Sequence, residues 1–166
     1  MTFVHPEPSG HAVVEPRWLT PAQQRAWRAY TDGHLRLMTA LNRQLQRDSD
    51  LSLAEYRILV LLSEAPDRSL RMSELADGVL SSRSRLTHQI RRLEAQHMVR
   101  RNTCLEDGRG VLAELTDEGM RRLEAAAPGH VEAVRRDFID LLTPAQLEAI
   151  SDVFGRVDKE IGKQPG

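Results

Sequence analysis

From Thr20 to Ile161 the apolar residues of this chain recur at three- and four-residue spacing in one capped segment after another, and the pattern turns to strand-like alternation on either side of Glu106-Asp107-Gly108-Arg109-Gly110. Such patterning commits the chain to amphipathic helices with a hairpin among them. In Thr20-Pro21-Ala22-Gln23 a threonine accepts from the first free amides, a proline stands where a missing N–H costs nothing, and a glutamine reaches back to the cap. Leu-Thr-Pro-Ala-Gln occurs again at Leu142 to Gln146; this is one capping solution used twice, because the sequences that follow diverge. Ser52-Leu53-Ala54-Glu55 is a further capping box, and Ser82 caps another helix. Thr116 caps one whose first turn carries Asp117 and Glu118, where the helix dipole favours anions.

The stripes give the layout. Trp27, Tyr30, His34, Leu37, Met38, Leu41 and Leu45 share one face of a helix ending near Asp48. A second helix runs through Leu62 and stops at Ala65-Pro66-Asp67, a short one spans Met72 to Val79, and Leu80-Ser81 is a tight turn into the helix capped by Ser82. On that helix Leu86, Ile90 and Leu93 fall on a buried face, while Ser84, His88 and Arg91, flanked by Arg85 and Arg92, take the opposite one. Met98 to Arg101 and Val111 to Leu115 pair as a hairpin across the Asp-Gly turn. Met120, Leu123, Ala127, Val131, Val134, Phe138 and Leu141 form the stripe of the next helix, with a kink expected at Pro128, and a last helix runs from Pro144 to about Ile161. Residues 1 to about 18 hold three prolines, a glycine and no periodicity, and read as a flexible arm. Residues 19–166 read as a single domain.

Charge is concentrated in one place. The formal net charge of the 166-residue chain is −1, yet between Ser81 and Arg101 six arginines, Arg83, Arg85, Arg91, Arg92, Arg100 and Arg101, face Glu94 alone. That surface matches a polyanion, and phosphate is the obvious one. Ser81 and Ser82 add hydroxyls and free amides at the helix start, where a phosphate would lie.

A composition 40% apolar and 28% charged is that of a soluble globular protein. The longest apolar run, Ile58 to Leu62, is far too short to span a bilayer, and the N-terminus lacks the pattern of a signal peptide, so the cytoplasm is the expected compartment. No membrane partner and no cofactor are expected. A lone cysteine, Cys104, excludes internal disulfides and thiolate metal clusters, and the six histidines lack ligand spacing.

Two short helices joined by a tight turn, the second basic on its exposed face, followed by a hairpin with an arginine at its tip, make a winged helix-turn-helix. A helix of this width fits the major groove, where Arg, Ser, Thr and His reach base edges, while the tip places one arginine in the narrower minor groove. The order Leu75-Ala76, Ser82-Arg83-Ser84-Arg85-Leu86-Thr87, Arg92-Leu93-Glu94, Val99-Arg100-Arg101, Asp107-Gly108-Arg109-Gly110 and Leu115-Thr116-Asp117-Glu118-Gly119 resembles the MarR family of bacterial transcription regulators over roughly Leu19 to Val157.

The resemblance implies a mainly α fold with a winged lobe at about 52–116, between dimerisation helices at about 20–48 and 117–161. It implies a homodimer that binds double-stranded DNA at a pseudo-palindromic operator, acting as a repressor. By family habit Ser82, Arg83, Ser84, Arg85, Thr87, His88 and Arg91 face the major groove, Arg109 enters the minor groove, and Asp107, beside Gly108, braces the wing. Family members often release DNA on binding a small aromatic effector, and Trp27, Tyr30, His34 and Arg57 are candidate lining residues here. The chain departs from the family at His97-Met98-Val99, where Gly-Leu-Val is usual, so the exit from the recognition helix and the wing angle are expected to differ.

The long apolar stripes outside the winged lobe also argue for an isologous partner, with monomeric packing the alternative. No phosphate loop, nucleophile elbow or paired-carboxylate arrangement marks an enzyme. Cys104 has no resolving cysteine for an intramolecular redox switch. The rival to DNA is a protein-binding module that uses the same basic face for an acidic partner.

Overall fold

The computed structural model of the protein describes residues 16–103 and 110–162. These divide into two compact units, the first ending at His34 and the second starting at Leu35. In the first, helix α1 (Pro21–Ser49) begins at the expected cap: the Thr20 amide donates to Gln23 Oε1 at 2.8 Å and Thr20 Oγ1 accepts from the Gln23 amide at 3.3 Å. The rings of Trp27 and Tyr30, and of Tyr30 and His34, lie with centroids 5.7 Å apart in each pair.

The second unit holds the core. It comprises the last turns of α1, helix α2 (Leu53–Glu64), strand β1 (Ser69–Arg71), helix α3 (Met72–Gly78), helix α4 (Arg83–Ala95), strands β2 (Val99–Thr103) and β3 (Val111–Leu115), helix α5 (Asp117–Asp137) and helix α6 (Pro144–Ile161). The caps sit where local sequence puts them: Ser52, Ser82, Thr116 and Thr143 each accept from the amide three residues on. The antiparallel pairing of β2 with β3 sets Val99 opposite Leu115 and Arg100 opposite Glu114. Strand β1 pairs with the other edge of β3, Leu70 opposite Ala113, giving the order β1-β3-β2. No sequence signal marked β1, because three residues are too few to show a period and only the β3 partner makes them a strand. Leu45, Ile58, Leu59, Leu62, Leu75, Leu86, Ile90, Leu93 and Met98 are buried together in one cluster. Burial of each such side chain contributes roughly 1.5–3 kcal/mol, so α4 is seated chiefly by Leu86, Ile90 and Leu93.

Two stripes are only partly buried within the single chain, as the expectation of a partner requires. On α1 only Leu41 and Leu45 of the stripe are buried, whereas Trp27 is 58% exposed. On α5 the buried residues are Gly119, Leu123, Ala126 and Ala133, while Val131 and Leu141 are exposed. Of these buried residues only Leu123 is large, Met120 packs partly against the core, and Val131 faces outward. The α5 helix continues through Pro128 to Asp137, and a 3-10 turn over Ile139–Leu141 replaces the end of the expected helix. His34, a candidate effector residue on the same stripe as Trp27, is exposed.

His97 takes φ 60°, the left-handed conformation that the missing glycine would adopt. Its amide donates to the Glu94 carbonyl at 2.9 Å and the Met98 amide to the Leu93 carbonyl at 2.9 Å, so the helix closes as a glycine-terminated one would, with a Cβ strain of about 1 kcal/mol. The side chain is exposed. His97→Gly is therefore expected to raise the melting temperature by about 2–4 °C in a thermal melt; an unchanged or lower value would show the strain to be relieved elsewhere.

His130 of α5 packs on Tyr56 of α2 with ring centroids 4.5 Å apart, and its Nδ1 lies 3.4 Å from Gln44 Oε1. Burial holds its pKa below the ordinary imidazole value. As pH falls through about 6.5 the unfolded chain takes up the proton first. The stability tied to the neutral ring is thus full above that pH and is lost progressively as pH falls toward the lowered native value. Between pH 7.5 and 5.5 the wild type is expected to lose more melting temperature than His130→Phe, which keeps a ring on Tyr56. Equal losses in the two proteins would rule out His130 as the titrating group.

Candidate nucleic-acid interface

Helix α4 is preceded by α3 and a tight turn at Leu80, which takes φ 53°. The turn is closed by the Ser81 amide donating to the Ala76 carbonyl at 3.0 Å. At the helix start Ser82 Oγ accepts from the Arg85 amide at 3.3 Å and lies 3.3 Å from Ser84 Oγ. The hydroxyl thus satisfies one free amide of the first turn, and the remaining amides stay open at the helix end.

Helical geometry and the contacts of α4 sort its polar residues into three stripes. Opposite Leu86, Ile90 and Leu93, the side chains of Ser84, His88 and Arg91 are exposed. On the flank toward the sheet, Arg83 and Thr87 line a cleft of about 450 Å³ with Arg71, Ser73, Arg101 and Val111. Thr87 Oγ1 donates to the Arg83 carbonyl at 2.8 Å. On the flank toward α2, Arg85 borders a larger cavity, and Arg92 pairs through Nε with Glu55 Oε1 at 3.1 Å.

The six arginines therefore separate. Arg92 is tied to Glu55, Arg101 to Glu94 at 2.7 Å, and Arg100 to Glu114 at 2.5 Å. The Arg100 guanidinium, with help from Asn102, holds the Glu114 carboxyl below its usual range. Arg83, Arg85 and Arg91 are exposed and form no ion pair among the described residues. Cationic side chains without a carboxylate partner are the ones available to phosphate or base edges. Asp107, Gly108 and Arg109, expected at the hairpin tip, lie outside the described residues, as does Cys104.

The α2 flank holds a feature the sequence did not announce. A cavity of about 730 Å³ is lined by Leu35, Met38 and Asn42 of α1, Ser52, Leu53 and Arg57 of α2, Leu80 and Ser81 of the turn, and Arg85 and Gln89 of α4. Ser81 Oγ and Gln89 Oε1 are both shielded from solvent without a hydrogen-bond partner. Arg57, a candidate effector residue, stands in this wall, while the other three, Trp27, Tyr30 and His34, form the ring series of the first unit. Ser81, expected at the phosphate, is among the residues lining this cavity, with its hydroxyl shielded from solvent. Among the described residues no helix is long and apolar enough to cross a membrane.

The MarR family model matches residues 51–111, the stretch from the start of α2 to the start of β3. A solved structure of Sco3205 from Streptomyces coelicolor, a MarR family transcriptional regulator in complex with DNA, superposes with a TM-score of 0.86 at 46% identity, covering 91% of this chain and 94% of that one. AbsC, a MarR family transcriptional regulator of the same organism, superposes with a TM-score of 0.85 at 40% identity, over 90% of this chain and all of that one. The transcriptional repressor YetL of Bacillus subtilis is 33% identical over 110 residues, which are 64% of this chain and 66% of that protein. A basic helix on a winged scaffold, shared along nine-tenths of the chain with a regulator solved on DNA, places this protein in the MarR family of DNA-binding transcriptional regulators.

Proposed function

We propose that the protein is a repressor that binds a pseudo-palindromic operator as a homodimer, with α4 in the major groove and Arg109 in the minor groove. The observation that carries this reading is the division of the arginines: the three tied to carboxylates brace the lobe, and Arg83, Arg85 and Arg91 stay exposed around Ser84 and His88. Dimerisation is supported by the apolar side chains outside the core. Trp18 and Trp27 are exposed in the first unit, and Val131, Leu141, Val153, Phe154, Val157 and Ile161 in the second, where α6 has no buried residue at all. Apolar surface of that extent on a small protein calls for a partner.

Release by a small molecule is the second part of the reading. The 730 Å³ cavity has the size of an organic ligand, apolar walls from Leu35, Met38 and Leu53, and two guanidinium groups, Arg57 and Arg85, for an anionic or phenolic group. It adjoins α4, so an occupant there would withdraw Arg85 from DNA. The protein would act in the cytoplasm, on the nucleoid when bound.

Selection of bound fragments from random duplex DNA, followed by footprinting, tests the whole reading. The expected footprint has two half-sites about ten base pairs apart, and affinity falls linearly in log salt. Failure to enrich any sequence, with retention on an acidic protein partner, would favour a protein-binding module instead.

A further inference from the structure

The buried carboxylate of Glu55 has no place in the reading above. Glu55 is 2% exposed, and an ionised group so buried stays only where its oxygens are satisfied. Here each oxygen has its own task. Oε2 accepts from the Ser52 amide and hydroxyl, both at 2.8 Å, which completes the cap of α2. Oε1 faces Arg92 Nε of α4 at 3.1 Å. The Arg92 Nη2 group also lies 3.5 Å from both the carbonyl and Oδ1 of Asp50, and one turn on Gln96 Nε2 donates to Asp50 Oδ2 at 3.3 Å.

Two successive turns of α4 are thus latched to one corner of backbone, residues 50–55. That corner has little freedom of its own. Asp50 is held at φ 54°, Leu51 is fully buried, and the Leu53 amide donates to Asn42 Oδ1 at 2.9 Å.

We propose that Arg92 is a positioning residue, which sets the rotation of α4 through Glu55 and the corner at Asp50 and does not itself touch DNA. The proposal rests on α4 being the DNA-reading helix. Apolar packing of Leu86, Ile90 and Leu93 fixes how far α4 stands from α2, but it is non-directional and resists rotation about the helix axis weakly. A charged hydrogen bond at the helix flank is directional. A roll of about ten degrees would carry an arginine tip, which projects well beyond the backbone cylinder, by about 1 Å. That is enough to spoil a hydrogen bond to a base edge. Arg91, the next residue, stands on the exposed face and would feel the roll directly.

The test uses the full chain and a duplex that the protein itself has selected from a random pool, with affinity measured along a salt series and a melting temperature for each variant. Arg92→Gln is expected to weaken binding roughly tenfold while the slope of log affinity against log salt stays at the wild-type value. Arg91→Gln is expected to make that slope shallower by about 0.9 for each cation withdrawn. Glu55→Gln should cost as much as Arg92→Gln, the double variant should cost no more than either, and Arg92→Lys, which leaves a cation for Glu55, should recover part of the loss. A slope reduced by Arg92→Gln as by Arg91→Gln, an unchanged affinity, or additive losses in the double variant would overturn the proposal. If Arg91→Gln changes neither affinity nor slope, α4 is not the reading helix, and the positioning role is lost with it.

Discussion

Gly119→Ala is expected to cost about 3 kcal/mol or more, enough to remove a large part of the 5–15 kcal/mol that separates a typical domain from its unfolded chain. A Cβ at this position would fall on the Met98 carbonyl oxygen and 2.6 Å from Leu115 Cδ1. The carbonyl cannot withdraw, because it accepts from the Thr116 amide at 3.0 Å and from Thr116 Oγ1 at 3.1 Å. Leu115 is 3% exposed, within a close-packed core that resists displacement of its side chain. Gly119 itself donates its amide to Thr116 Oγ1 at 3.0 Å, so the start of α5 would have to move away from both its cap and the end of β3. A thermal melt of purified protein decides the matter: a melting temperature within a degree or two of wild type would mean that the junction yields more easily than its hydrogen bonds suggest. The requirement gives a physical reason for the glycine that follows Leu115-Thr116-Asp117-Glu118, since the helix must begin in contact with the backbone leaving α4.

How much could be read in advance depended on the range of the interactions. Caps at Thr20, Ser52, Ser82, Thr116 and Thr143 were legible because each involves a hydroxyl and an amide three residues apart. At His97 the expected change in the helix exit does not occur, because the residue itself takes the left-handed φ that glycine would supply and the helix closes in the same way. Strand β1 was not, because it exists only through pairing with β3, far along the chain. The stripes of α1 and α5 show which residues are apolar but not what covers them: Trp27 and Val131 are exposed in the single chain, in keeping with the expected isologous partner.

The arginine cluster shows the same boundary. Its excess charge over Ser81 to Arg101 is plain in the sequence, yet the partners of Arg92 and Arg100 are Glu55 and Glu114, from other elements. Only the fold divides the cluster into arginines that brace and arginines left to bind. The cavity between α1, α2 and α4 was legible only at Arg57, since its walls come from four separate segments.

That division makes the second large effect specific. Arg91→Ala and Arg109→Ala are each expected to lower affinity for the selected operator. A lost arginine contact to a base is worth about 1–3 kcal/mol, and the proposed dimer presents each substitution twice, so the loss is about 2–6 kcal/mol, or at least roughly thirtyfold. Arg91 is exposed on the face opposite Leu86, Ile90 and Leu93 and has no ion pair among the described residues, so its removal should leave the melting temperature unchanged within about 1–2 °C. Equilibrium binding to the selected duplex and to a scrambled one of equal length separates two kinds of contact. If Arg91 reads a base edge, the selected duplex loses far more affinity than the scrambled one; if it meets phosphate alone, both lose equally and the preference between them survives. Wild-type affinity in both variants would remove the major-groove and wing assignments together. Because Arg92 is engaged with Glu55 on the flank of the same helix, a stable Arg91→Ala protein that no longer prefers its operator would locate sequence reading on the outward stripe of Ser84, His88 and Arg91.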